Sequence, residues 1–334
     1  MHPVLSMGFL ALWCVMVALR ELYLGIDTSA YTTSLCLVDR EGRIAAEARQ
    51  VLQVQEGKQG LRQSEALFQH VQNLPKVAEK LQGQLSGEWR IVAVAASSQP
   101  RPYADSYMPV FTAGRSFGAA YAQLTGVPFY ELSHQENHIL SGIHTAGGPL
   151  SGRFLSIHLS GGTTELTAVS VKRTGRMDIE LLGSASDLHA GQFVDRVGVA
   201  LGLSFPAGPA LEKLAEKAEK PVVVPAVHRN GELSFSGPLT ALLKHVGQAA
   251  PEAVALGCLQ CIGRSLIKWI KWAESQSDSR EILIVGGVAA NRILRKMLAD
   301  KLRNWHLFFA EPKYSTDNAL GSALFARQAA LSQE

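Results

Sequence analysis

Along the chain, short apolar runs alternate with stretches of helical spacing. Leu22, Tyr23, Leu24 and Ile26 make a buried-strand run closed by Asp27, Thr28 and Ser29, and 33–38 and 43–48 read as two further strands joined by the turn Asp39-Arg40-Glu41-Gly42. From 64 to 81, Leu67, Val71, Leu74, Val77 and Leu81 recur at helical spacing, with Pro75 expected to kink or divide the helix. Residues 91–95 read as a fourth strand, 112–124 as a helix rich in small residues and 128–132 as a short strand, and a helix is expected from Ser133, a good N-cap. A Gly/Pro-rich stretch at 145–152 marks a boundary, after which the pattern restarts. Strands are expected at 154–159, 165–170, 282–285 and 306–309, and helices at 190–201, 209–218, 252–275, 289–301 and 318–331.

Each half therefore opens with a buried strand that runs into a polar or glycine turn and then into another strand. Two α/β lobes of similar design, each offering a loop to a central cleft, follow from that repeat. The expected division is an apolar N-terminal extension over 1–20, a first lobe over 21–150, a second over 151–316, and a C-terminal helix over 317–334 that packs back on the first lobe.

Composition narrows the class. With 334 residues, 47% of them hydrophobic, the chain can bury a core for two lobes. Its net charge of +3 is too small to mark a nucleic-acid binder, so any contact with RNA has to come from a local patch. Cys14, Cys36, Cys258 and Cys261 are too few and scattered for a disulfide framework, which fits a reducing, cytoplasmic setting. Cys258-Leu-Gln-Cys261 lacks a second ligand pair and sits in an apolar helical stretch, so it reads as packing. The apolar run 7–19 is shorter than the roughly 18 to 20 residues that span a bilayer, and no Lys or Arg precedes it. An upstream start or a loosely attached extension is expected there, with a cleaved signal or membrane anchor as the lesser alternative, and no membrane partner is expected.

Four places can carry chemistry. Ser160-Gly161-Gly162-Thr163-Thr164 lies between two strands, where bare backbone lets N–H groups approach an anionic oxygen. Gly286-Gly287-Val288-Ala289-Ala290-Asn291 follows an apolar strand and opens a helix, whose free N–H groups suit a phosphate or ribose; an ordinary tight turn has the same look. Asp187 and Asp195 bracket Gly191, and either carboxylate suits ribose hydroxyls, while Gly208 permits close ligand approach; a surface charge and a turn are the plainer alternative. His134 and His138, four apart on one helical face, can share a metal, with Asp317 as a third, oxygen ligand, although a bare pair is as readily solvated or core histidine. No GxGxxG, P-loop or HExxH pattern occurs at these places, which disfavours a Rossmann site, a P-loop and peptidase chemistry.

The order of these elements, from Gly25-Ile26-Asp27-Thr28-Ser29 through His134-x-x-x-His138 and Ser160-Gly161-Gly162 to Gly286-Gly287-Val288-Ala289-Ala290-Asn291-Arg292 and Thr316-Asp317-Asn318-Ala319, resembles the TsaD family. These are tRNA threonylcarbamoyltransferases, also called Gcp or O-sialoglycoprotein endopeptidases, and the resemblance covers about 22 to 329. It implies the actin-like, sugar-kinase-like α/β fold of two ribonuclease-H-like lobes around a cleft. It also implies transfer of threonylcarbamoyl from its adenylate to N6 of the adenosine next to the tRNA anticodon, with TsaB-like and TsaE-like protein partners. Carried over by position, His134, His138 and Asp317 would hold one divalent metal, with Fe, Zn and Mn all suited to two imidazoles and a carboxylate. His158, Leu159, Ser160, Gly161, Gly162, Asp195, Gly208 and Asn291 would line a pocket for the adenylate or ATP.

The chain departs from the family pattern in four places. Ser29-Ala30-Tyr31-Thr32-Thr33 replaces Ser-Cys-Asp-Glu-Thr, and Gln135-Glu136-Asn137 replaces Met-Glu-Gly between the histidines. Thr163 and Glu165 replace the histidine and glutamine of Ser-Gly-Gly-His-Thr-Gln, and Pro100-Arg101-Pro102-Tyr103-Ala104-Asp105 replaces a Gly-Pro-Gly loop. The new Arg101, Tyr103 and Tyr107 suit either a grip on RNA or a block on the acceptor. An active transferase and a divergent paralogue that binds nucleotide and metal as scaffold or regulator are therefore both open. A small-molecule kinase or carbamoyltransferase of the same fold stands behind them, and a metallopeptidase last.

Overall fold

The computed structural model describes residues 19–29, 31–54, 61–103, 105–172 and 176–333. The apolar run up to residue 18, with Cys14, lies outside the described residues. The chain begins with the meander β1 (Arg20–Ser29), β2 (Thr32–Val38) and β3 (Ile44–Val51), then α1 (Gln63–Gln82), β4 (Trp89–Gln99), α2 (Phe111–Thr125), β5 (Phe129–Ser133) and α3 (His134–Ala146). A second meander follows in β6 (Arg153–Leu159), β7 (Thr164–Val171) and β8 (Met177–Ser184). After it come α4 (Ala190–Ala200), α5 (Gly208–Ala215), the hairpin β9 (Val227–Arg229) and β10 (Glu232–Ser234), α6 (Ser236–Leu243) and α7 (Pro251–Ala273). The last elements are β11 (Glu281–Val285), α8 (Arg292–Lys301), β12 (His306–Phe309) and α9 (Leu320–Leu331).

The two large sheets share one topology. Their orders are β3-β2-β1-β4-β5 and, read in the same sense, β8-β7-β6-β11-β12. In each, the three meander strands pair antiparallel and the later two join in parallel through helical crossovers. This is the actin-like, sugar-kinase-like α/β architecture, a pair of ribonuclease-H-like sheets.

Strand parity divides the apolar side chains of the two sheets into three large cores. On β1, Leu22, Leu24 and Ile26 join the core under α1 and α2, whereas Tyr23 joins a core shared between the two sheets. On β11, Ile282 and Ile284 join the core built around α7, and Leu283 and Val285 face the other way. The layer between the sheets is made by α3 and α9, which pack on each other. Helix α9 lies on β1, β2, β4 and β5, while α3 reaches β11 and β12. Because a strand shows alternate residues to opposite faces, Asp27 on β1 and His158 on β6 share the parity that looks into this middle layer.

Buried hydrogen bonds tie α3 to the start of α9. Asn137 Nδ2 donates to the Asn318 carbonyl at 2.6 Å, and its Oδ1 accepts from Ser322 N at 2.8 Å. Ser141 Oγ donates to Asn318 Oδ1 and accepts from Gly321 N. A Cβ on Gly321 would lie 2.0 Å from the Asn137 carbonyl oxygen, so only glycine lets the helices approach this closely.

Several expected elements differ in detail. Helix α1 is a single element through Pro75, which is exposed on the solvent side. The hydrogen bond that Pro75 forfeits belongs to the carbonyl of Val71, itself exposed and open to water. The helix expected at 289–301 begins only at Arg292, because Gly287–Ala290 forms a 3-10 turn. Strand β8 and helix α6 escaped the sequence pattern. The first is a half-exposed edge strand, and the second carries Gly237 and Pro238 near its start. Among the described residues, α7 alone is long and apolar enough to cross a membrane, yet 67% of its apolar window is buried. It carries Cys258 and Cys261 fully buried, with burial pushing the Cys261 thiol up to about 11, as plain packing requires.

The contact between β1 and α9 is as close as that between α3 and α9. A Cβ on Gly25 would meet Ala323 N at 2.2 Å and the Ala319 carbonyl oxygen at 2.3 Å. We expect Gly25→Ala to lower unfolding stability by about 1–3 kcal/mol, as overpacking of a tight core does. Urea unfolding checks this, and a variant as stable as the parent would show that the α9 contact yields freely.

Candidate functional site

Helix α3 begins where the sequence placed it. Ser133 Oγ accepts from Glu136 N while Glu136 Oε2 accepts from Ser133 N, a reciprocal capping box that fixes the first turn. That turn carries His134, and the next carries His138 on the same face. The loop that leads into α9 brings in Asp317. Nε2 of His134 lies 3.1 Å from Nε2 of His138, and Asp317 Oδ1 lies 3.6 and 3.5 Å from the two nitrogens. Donors about 2.0–2.2 Å from one ion, at angles between square and tetrahedral, are about 2.8–3.6 Å apart. The edges of this triangle fall in or next to that interval, so the three residues fit a divalent metal.

The surroundings are those of a ligand set. His134 Nδ1 donates to Asp27 Oδ1 at 2.9 Å, which aims Nε2 into the triangle. A carboxylate behind a metal-binding imidazole orients the ring in this way. Asp27 Oδ2 and His138 Nδ1 are buried without a hydrogen-bond partner. Burial favours the neutral form of His134, but Asp27 and Asp317 outweigh it and push its pKa up to about 10. Burial opposes ionisation of Asp317, yet the two histidines hold its carboxyl well below the usual range. Three groups pointing electron pairs at one spot thus call for a cation, and a proton on His134 answers that call when no metal does.

His158 joins this triangle to the second sheet. Its ring centroid is 4.7 Å from that of His138, and burial, reinforced by His138 and His134, keeps it neutral. Beyond it, the Ser160 loop is folded on itself: Ser160 Oγ accepts from Thr163 N, and Ser160 N donates to the Thr163 carbonyl. Two glycines press on this loop. Cβ atoms on Gly191 and Gly286 would lie 2.6 Å from Gly161 N and 2.3 Å from the Leu159 carbonyl oxygen. Gly161, Gly162 and Gly237 have open space beside them, and Gly208 is nearly as free. The loop, the start of α4 and the Gly286 turn therefore converge.

Other sequence candidates take structural roles. The side chain of Leu159 is buried in the α7 core, so only its backbone can face a ligand. Asn291 caps α8 through Oδ1 to Leu294 N, and Arg292 N donates to Glu212, so this helix start is not a free anion site. Asp187 spends its carboxylate on Leu188 N, Phe235 N, Ser236 N and Ser234 Oγ, which removes it as a ribose acceptor. Asp195 accepts from Ala207 N at 2.8 Å, with burial raising its pKa.

Sequence reasoning missed a cluster made from its own departures. Glu165 on β7, 6% exposed, is bound by Arg101 from the loop after β4 and by Gln135 Nε2 from α3. The Pro100 carbonyl also accepts from Gln135 N. Arg101 is thus turned to the second sheet, and Tyr103 donates to the Ile179 carbonyl at 3.4 Å. Tyr107 remains 71% exposed. The pairing spans 64 residues of sequence, and no local pattern announces it.

A metal must displace the proton held by His134, so affinity for Zn2+ or Mn2+ is expected to rise from about pH 6.5 to about 8.5, with about one proton released per ion. Calorimetry in buffers of different ionisation enthalpy measures that count, and zero release would contradict it. Without metal the sign reverses. A raised histidine pKa stabilises the fold below its unfolded value of about 6.5, and that contribution is lost as pH climbs through about 10. Glu165 supplies a separate expectation. Arg101→Met strands a buried carboxylate and should cost about 1–3 kcal/mol, discounted because Arg101 is 41% exposed. Adding Glu165→Gln should recover most of the loss in urea unfolding, and no recovery would mean that the two do not act as a pair.

Comparison with known proteins gives the site its family. The family model described as TsaD, tRNA N6-adenosine threonylcarbamoyltransferase, matches residues 44–324. A tRNA N6-adenosine threonylcarbamoyltransferase of Thermus thermophilus is 33% identical over 312 residues, 91% of this chain and 91% of that protein. One from Thermococcus sibiricus is 29% identical over 294 residues, 87% of this chain and 86% of that protein. Among solved structures, HypF of T. kodakarensis aligns with a TM-score of 0.60 at 14% identity, over 94% of this chain and 48% of that one. The activator of 2-hydroxyisocaproyl-CoA dehydratase from Clostridium difficile, with bound ADPNP, gives 0.55 at 16% identity over 93% and 97%. The two structures speak for the fold alone, while the family match and the relatives reach further: this chain belongs to the TsaD family of tRNA N6-adenosine threonylcarbamoyltransferases.

Proposed function

We propose that this chain transfers the threonylcarbamoyl group from threonylcarbamoyl-adenylate to N6 of the adenosine next to the anticodon of tRNA, with TsaB-like and TsaE-like partners. The observation that carries the reading is the triangle of His134, His138 and Asp317, whose edges of 3.1 to 3.6 Å suit one divalent ion. Bound there, such an ion supplies a Lewis acid that polarises the acyl group. The residues do the rest. Asp27 aims His134 Nε2 into the triangle, and the packing of His158 on His138 supports an acyl end held beside the adenylate end. Gly161, Gly162, Gly208 and Gly287 leave room for the nucleotide, with its phosphate beside Gly161 and its sugar toward Asp195, whose Oδ1 also accepts from Ala207 N.

In the transfer, the adenosine N6 forms a bond to the carbamoyl carbon, the bond to the phosphate oxygen breaks, AMP leaves and N6 gives up a proton. Holding donor and acceptor together supplies much of the acceleration. Tyr107 offers a face on which an unpaired base stacks. Arg101 is not free to grip phosphate, since Glu165 occupies it.

The test combines the protein with threonylcarbamoyl-adenylate, unmodified tRNA and the partner subunits, and counts threonylcarbamoyladenosine by mass spectrometry. Product should fall roughly tenfold or more in Asp317→Ala, the scale of losing a metal-site interaction. Product from the parent no higher than in a reaction without it would reject the enzyme in favour of a scaffold or regulator, and equal product above that background from Asp317→Ala would reject the role of the triangle.

A further inference from the structure

On β3, Ala46 faces the core under α1, so Glu47 and Arg49 share the opposite parity and look toward the segment before α9. The Arg49 guanidinium meets three acceptors there. Nη1 donates to Thr316 Oγ1 at 3.2 Å and to the Asp317 carbonyl at 3.3 Å, and Nη2 donates to the Lys313 carbonyl at 3.0 Å. Glu47 completes the grip. It pairs with Arg49 at 3.6 Å and with the Lys313 ammonium, and it accepts from the Tyr314 hydroxyl.

We propose that Arg49 is a positioning residue for Asp317, holding residues 313–317 so that the carboxylate reaches both imidazoles. A planar guanidinium fixes several acceptors in one plane, which a single ammonium cannot do. The segment is 264 to 268 residues away in sequence and comes from outside β3, so this contact fixes Asp317 relative to the first sheet. Asn318 anchors the same segment from the other side, donating through Nδ2 to the Tyr314 and Thr316 carbonyls. The turn is therefore held at both flanks, and the Asp317 side chain is left to face the histidines.

The role rests on the metal reading above, and the experiment separates the two. Zn2+ affinity is measured by competition with a chromophoric chelator for the parent, Asp317→Ala, Arg49→Met, Arg49→Lys and Arg43→Met. The last is an exposed control on the same meander. Loss of binding in Asp317→Ala, a loss of about 10- to 100-fold in Arg49→Met and no change in Arg43→Met are expected, the middle figure being typical of groups behind metal ligands. The Co2+ ligand-field spectrum of Arg49→Lys should also shift, because the carboxylate is re-aimed; a merely structural role leaves that spectrum unchanged. If Arg49→Met does not fold, Arg49→Lys decides through affinity and spectrum together. Binding within about twofold of the parent in the Arg49 variants, with binding lost in Asp317→Ala, overturns the positioning role alone. Parental binding by Asp317→Ala overturns the metal reading and the role with it.

Discussion

The hydrogen-bonded contact between α3 and the start of α9 is the constraint on which the site depends. Two of the three triangle groups ride on α3, and the third, Asp317, directly precedes Asn318, whose carbonyl accepts from Asn137 of that helix. Asn137, Ser141, Asn318 and Ser322 satisfy one another there, out of water. A buried network with every member paired is rigid and specific, whereas one with a member missing is worse than an apolar contact. Gly321 lets the backbones approach within the reach of those short side chains. Relaxing this contact by about an ångström would move Asp317 off both imidazoles at once, and such a displacement is large for a positioned group.

The sequence made much of this legible, for physical reasons. Period-two and helical spacings are set by burial, and burial is what builds both sheets and most helices, so those elements appear where their patterns stand. His134 and His138 share a face because four residues make about one turn. Asp317 was legible through the Thr316-Asp317-Asn318-Ala319 run. What remained hidden depends on partners distant in sequence. Asp187 and Asn291 look like free polar groups until the loops they cap are seen. Asp27 closes a strand in the sequence, and only the approach of α3 reveals that it holds His134. Arg49 looks like an ordinary strand residue on an edge.

The departures from the family pattern take on another meaning in three dimensions. Asn137, standing where the family has glycine, supplies three of the hydrogen bonds that join α3 to α9. Arg101, Gln135 and Glu165 belong to three separate departures and meet in one cluster. A carboxylate as buried as Glu165 needs a cation or donors beside it. The change from glutamine to Glu165 is therefore compatible with folding because Arg101 and Gln135 are there, and the three changes are intelligible only together.

Decay after loss of function would leave unmatched changes, with buried charges unpaired and loops loosened. The described residues show the reverse at Glu165 and Asn137, where each new polar group has a partner. The triangle of His134, His138 and Asp317 stands beside a wall in which Arg101 and Gln135 Nε2 pair with Glu165, although Gln135 Oε1 is buried without a partner. The first loop is different, since the two acidic groups are lost there, Tyr31 stands 45% exposed and Thr32 is a buried neutral residue. The rebuilt wall fixes the loop after β4 against the second sheet, whereas the first loop has simply become less charged. The departures at Arg101, Gln135, Asn137 and Glu165 thus lie beside the triangle of His134, His138 and Asp317 and leave its three groups together.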